Sequence, residues 1–185
     1  MKKKIAVHLA NGFEEIEAIT IIDVLRRAEL DVVVVSVSGK PEVTGAHKIG
    51  VMADVLFENM DYTEVDMIVL PGGMPGASNL NAHEGLKKMI LKFDNENKAL
   101  GAICAAPLVY GNLGLLKGKK AVCYPGFENQ LIGASVSMEP VVKSGNIITG
   151  RGIGAALKFA LSIVSDLVSG EKADLLAKQM LVETV

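Results

Sequence analysis

Four short apolar runs recur along the chain, each ending in a turn and followed by a helical pattern or a polar excursion, and they constrain the fold more than any other feature. They are Ile5 to Ala10, Asp31 to Val37, Asp66 to Leu70 and Leu100 to Ile103. A strand with one wet face alternates apolar and polar residues, whereas one that stays apolar in both phases must be covered on both faces. Strands of that kind alternating with helices imply an α/β sandwich of three layers, with an open, mostly parallel sheet between helices and right-handed crossovers. In such sheets ligands bind outside the carboxyl ends of the strands. The residues that follow the runs are therefore the ones in which to look for chemistry.

Three of those turns carry reactive or permissive residues. Asn11-Gly12-Phe13 leads into a helix that opens at Glu14 and runs to about Ala28, with Ala18, Ile21, Ile22 and Leu25 as an apolar stripe at helical spacing. Glu17 lies one turn before Ile21, along the edge of the buried face, while Glu14 and Glu15 are expected to face solvent. Pro71-Gly72-Gly73 follows the third run. Glycines placed there let backbone N–H groups turn towards a ligand or a developing anion, and also fit an ordinary turn. Leu100 to Pro107 reads as strand, sharp turn and helix, the logic of a nucleophile elbow, with Ala102, Ala105 and Ala106 as the small neighbours. Pro107 suits the first helical turn, which has no use for its missing N–H.

Cys104 is then expected at a helix N-terminus, where thiol pKa values fall to about 3.5–7.5; as a mere core residue it would be a small hydrophobe. A thiol, a carboxyl and glycine amides on one edge can supply a nucleophile, an acid/base group and an oxyanion cradle. Like charges disfavour a thiolate beside a carboxylate, so the pair works best with Glu17 protonated and donating to sulfur.

Other features narrow the function. The 185 residues, 50% hydrophobic, fit one domain spanning 1–185. A net charge of −2 gives no electrostatic argument for nucleic acid or an anionic membrane surface. No run approaches the ~20 apolar residues that cross a bilayer. The two cysteines, Cys104 and Cys123, form neither a disulfide framework nor a CxxC pair, so a reducing cytoplasm is the expected compartment, with Cys123 structural on a strand. His8 inside a strand, His47 on an exposed turn and a solvent-facing His83 share no ligand spacing, and no metal is expected. A hairpin over 139–149 precedes Gly150-Arg151-Gly152-Ile153-Gly154 and an apolar helix, Ala155 to Val168. That glycine spacing is not G-x-G-x-x-G, and no cofactor is expected.

Four segments together, Glu14-Glu15-Ile16-Glu17, Val69-Leu70-Pro71-Gly72-Gly73, Ala102-Ile103-Cys104-Ala105 and Gly150-Arg151-Gly152-Ile153-Gly154, resemble the ThiJ/PfpI superfamily, closest to its parkinsonism-associated DJ-one branch. The likeness covers essentially the whole chain. It implies a flavodoxin-like sandwich of class I glutamine-amidotransferase-like architecture and a homodimer, to which Ile16, Ile19 and Thr20 of the first helix would contribute. Position by position, Cys104 resembles the reactive cysteine and Glu17 its partner carboxyl, while Gly72, Gly73 and Ala105 resemble the backbone donors of the oxyanion pocket. Tyr124 and Arg151 are auxiliary candidates. The peptidase-like branch has histidine after the nucleophile where this chain has Ala105, and several glyoxalase members have histidine where it has Tyr124. The resemblance implies action on a small reactive aldehyde or a glycated adduct, with a redox-responsive, chaperone-like protein as the alternative.

Overall fold

The computed structural model describes residues 2–182. The elements run β1 (Lys4–Leu9), α1 (Glu15–Arg27), β2 (Asp31–Ser36), β3 (Glu42–Thr44), β4 (Gly50–Met52), β5 (Val55–Leu56), β6 (Val65–Leu70), α2 (Gly76–Ala82), α3 (Glu84–Asn95), β7 (Ala99–Ile103), α4 (Pro107–Asn112), β8 (Lys120–Ala121), β9 (Ser135–Val136), β10 (Val141–Ser144), β11 (Ile147–Gly150), α5 (Ala156–Leu167) and α6 (Gly170–Gln179). Seven strands form the main sheet in the order β10-β11-β7-β6-β1-β2-β5. All its pairings are parallel except β10 with β11. The chain thus builds outward from β1 in both directions, first through β2 and then through β6, β7 and β11.

Period-two alternation explains why the strand sequences are apolar throughout. Ile5, Val7 and Leu9 of β1, with Met67 and Val69 of β6, pack with buried residues of α1 and α5. Ala6 of β1, with Ile68 and Leu70 of β6 and Leu100 and Ala102 of β7, packs with α2, α3 and α4 on the opposite face. Both phases of each strand are therefore dry, as a doubly covered sheet requires.

Residues 76–82 form the short helix α2, with Ala77 and Leu80 buried. Two sequence expectations change at this level. His83 is not a solvent-facing helical residue: it caps α3, its Nδ1 accepting the Leu86 N–H at 3.0 Å, with its ring edge-on to Phe57. Cys123 lies beyond β8, not on it, and is buried. No described helix is long and apolar enough to cross a membrane.

Candidate active site

The loops after β1 and β6 meet where the strand order reverses, the position at which open α/β sheets bind ligands. Glu14 N–H donates to Gly72 C=O at 2.8 Å, and Gly76 N–H to Gly12 C=O at 3.1 Å. The contact tolerates no side chain at Gly12, where a Cβ would lie 2.5 Å from Pro75 Cδ at a φ of +87°. The third loop, after β7, brings Cys104 to the same place.

Glu17 projects from α1 into this junction and is fully buried. Glu14 sets its position: as the helix N-cap, its Oε2 accepts the Glu17 N–H at 2.7 Å. Glu17 Oε2 accepts the Gly72 N–H at 2.9 Å. Its Oε1 is buried with no hydrogen-bond partner among the described residues; the Cys104 thiol is the reactive group beside this carboxyl. Gly72 separates the two, and a Cβ there would stand 2.5 Å from Cys104 Cβ and 2.8 Å from Glu17 Oε2.

Cys104 adopts φ = 64°, the left-handed region, at a cost of order 1–3 kcal/mol for a residue with a Cβ. Its peptide groups are held on both sides: its N–H donates to Gly150 C=O at 2.9 Å, and its C=O accepts from Tyr124 N–H at 2.8 Å. This turn aims the side chain back towards Gly73 and Ala105, whose N–H groups face the sulfur. Cys104 thus has the elbow geometry, but not the helix N-terminus expected for it, since α4 starts only at Pro107.

Electrostatics corrects the sequence expectation for the thiol and supports that for the carboxyl. Burial, opposed by the Gly72 hydrogen bond, pushes Glu17 up to about 7. Burial first, then the charge of Glu17, pushes the Cys104 thiol up to about 12, against the fall that a helix terminus would give. The charge of an ionised Glu17 thus holds the thiol protonated, so the pair carries one negative charge far more readily than two. A thiolate here requires a neutral Glu17.

Of the expected site residues, Glu17, Gly72, Gly73, Cys104 and Ala105 come together. The Gly72 amide is committed to Glu17, leaving Gly73 and Ala105 as the donors that face sulfur. Tyr124 and Arg151 line an adjoining cavity of ≈ 400 Å³. Glu14 and Glu15, expected in solvent, are each only 5% exposed. Glu15 folds under the β3–β4 hairpin, bonded to His47 N–H at 2.6 Å and its Nδ1 at 2.8 Å. Ligand atoms of Glu14, Glu15 and His47 lie within 4.8 Å of one another, a grouping that could hold a cation. Thirty-two residues separate Glu15 from His47, so no local motif announced it.

A model of the DJ-1/PfpI family matches residues 3–166. The chain belongs to the DJ-1/PfpI family. It is 44% identical over 180 residues to Protein DJ-1 homolog B of Arabidopsis thaliana, covering 97% of this chain and 41% of that one. The chain thus spans less than half the length of that relative. It is 30% identical over 150 residues to Deglycase PH1704 of Pyrococcus horikoshii, covering 80% of this chain and 89% of the relative. Among solved structures, oxidized DJ-1 of Toxoplasma gondii superposes with a TM-score of 0.94 at 38% identity, covering 98% of this chain and all of that one. The mostly parallel sheet between helices is that family's flavodoxin-like fold.

Proposed function

We propose that Cys104 and Glu17 act as one unit on small reactive carbonyls, without a cofactor, in the manner of a glyoxalase or protein deglycase. The observation that carries this reading is the strained cysteine held against a buried carboxyl and two free backbone donors. Glu17, at about 7, is near the ideal for a group that both accepts and returns protons at neutral pH. It takes the thiol proton as sulfur bonds to the aldehyde carbon of an α-oxoaldehyde, and the oxygen that becomes negative meets the Gly73 and Ala105 N–H groups. Proton transfer from the former aldehyde carbon to the neighbouring carbonyl carbon turns the hemithioacetal into a thioester of an α-hydroxy acid. Water then displaces sulfur. One carbon is oxidised as its neighbour is reduced, so methylglyoxal and water give lactate with no outside oxidant. Ala105 beside the nucleophile leaves no adjacent histidine for peptidase chemistry. The name of the Pyrococcus relative points the same way.

A second reading rests on the orphaned Glu17 Oε1. A protonated Glu17 beside the Cys104 sulfur gains a charged acceptor when that sulfur becomes a thiolate or a sulfinate, which favours a redox-responsive protein whose Cys104 is oxidised by peroxide. Lactate formation from methylglyoxal by the native protein, by Cys104→Ser and by Glu17→Gln separates the two. The carbonyl reading predicts turnover reduced at least ~10³-fold in Cys104→Ser; native turnover no faster than that of Cys104→Ser contradicts it and leaves the redox role.

We further propose a homodimer using the outer face of α1, where Ile16 is 56% and Ile19 46% exposed. Sedimentation at micromolar concentration showing only monomer would overturn it.

A further inference from the structure

The cavity whose wall is hydrogen-bonded to the Cys104 backbone has one charged side chain among otherwise uncharged residues. Tyr124, Pro125, Pro140 and Ile153 form most of the lining, Gly152 contributes backbone, and Arg151 supplies the charge. The cavity is strapped to the nucleophile: Tyr124 N–H bonds the Cys104 carbonyl, and Gly150, next to Arg151, accepts the Cys104 N–H. Gly152 keeps it open, since a Cβ there would meet the Tyr124 ring at 3.2 Å.

Arg151 is unlike the other two arginines of the chain. Arg26 and Arg27 each pair with an aspartate, Asp54 and Asp23. Among the described residues Arg151 has no carboxylate partner; its side chain makes one hydrogen bond, from Nη1 to the Met138 carbonyl at 3.2 Å. The nearby acids are used elsewhere, Glu139 on Lys120 and Glu128 on the Gly126 N–H. A guanidinium has five donors in a planar fork that matches a carboxylate, and most of this fork is unused.

We infer that this cavity is a carboxylate subsite: the substrate is a carbonyl compound carrying a carboxylate a few bonds from its reacting carbon, with the carboxylate on Arg151 and the intervening carbons against Pro125, Pro140 and Ile153. A dianionic phosphate is the poorer fit, because the lining offers no second cation. The inference rests on the carbonyl reading of Cys104 and names its substrate class.

The test separates binding from chemistry. The full chain carrying Cys104→Ser is titrated by NMR with levulinate and with 2-pentanone, ketones of equal carbon number that differ in the carboxylate. Levulinate should bind about tenfold or more tightly, Arg151→Gln should abolish that preference and Arg151→Lys should keep part of it. With Cys104 present, kcat/KM is compared for two five-carbon α-oxoaldehydes, one ending in a carboxylate and one in a methyl group. Arg151→Gln should lower their ratio about tenfold or more, mainly through KM. Equal binding of the two ketones, or a levulinate preference that survives Arg151→Gln, overturns the subsite. Should neither aldehyde be turned over while levulinate binding still depends on Arg151, the carbonyl chemistry fails and the subsite stands.

Discussion

Glu17 with Cys104, and His8 with Tyr62, are both buried pairs of titratable side chains, one in each layer against the sheet, and they are built to opposite ends. His8 lies within β1, fully buried, with its Nε2 2.6 Å from the Tyr62 hydroxyl and its ring stacked on that of Tyr62, beside Phe57. Its backbone is ordinary strand. Burial drives its pKa down to about 3, so it stays neutral, and the same burial holds the Tyr62 phenol up. Cys104 instead sits on left-handed backbone at the end of a strand, with two amide donors facing its sulfur and a carboxyl whose second oxygen has no partner. Burial alone therefore does not make a reactive site. Each pair leaves one buried polar atom without a partner among the described residues, His8 Nδ1 and Glu17 Oε1, so what sets the Cys104 pair apart is the amide donors that face its sulfur and the left-handed turn that aims it at them.

The contrast is testable through the opposite pH slopes of the two pairs. His8 binds a proton more weakly folded than unfolded, so its contribution to stability is full above pH 6.5 and is lost as pH falls towards 3. Between pH 7 and 4.5 that loss is about 2.5 kcal/mol. His8→Gln, which retains a partner for Tyr62, should flatten the acid limb of a denaturant-measured stability profile by this amount; an unchanged limb would break the contrast. Glu17 works the other way. Its proton is held more tightly in the folded state, so its contribution is full below pH 4.5 and is lost as pH rises through 7. Glu17→Gln should remove a decline of about 2 kcal/mol between pH 5 and 7.5. The smallest effect concerns strain, which only the Cys104 pair carries: Cys104→Gly should be about 1 kcal/mol more stable than Cys104→Ala, because glycine accepts the φ of 64°. Equal stabilities would mean that the turn relaxes on substitution.

The parts of this architecture legible in the sequence were those that depend on neighbours in the chain. Ile5, Val7 and Leu9 against Ala6 announced a doubly covered strand, and the small residues around Cys104 announced a tight turn after one. Contacts made by distant segments were hidden. Glu14 and Glu15 look like ordinary charged residues of a first helical turn, and their burial follows from the Gly72 carbonyl and the His47 hairpin closing over them. The direction in which the thiol shifts is hidden for the same reason. A helix terminus is a local feature, while the burial that outweighs it comes from β6, β7 and α1 together.

Mild peroxide shows whether Cys104 and Glu17 act as one coupled site, with Cys123 as the internal control. Both cysteines are buried, and burial lifts both thiols, Cys123 to about 11. Differences in exposure or in thiol acidity therefore do not favour Cys104; only the amide donors and the Glu17 carboxyl do. Intact mass spectrometry with peptide mapping should show two oxygens added to Cys104 before any change at Cys123, and Glu17→Leu should slow that sulfinate step while Cys123 behaves as before. Equal rates at the two cysteines in the native protein, or sulfinate formation at Cys104 indifferent to Glu17→Leu, would contradict the coupled site.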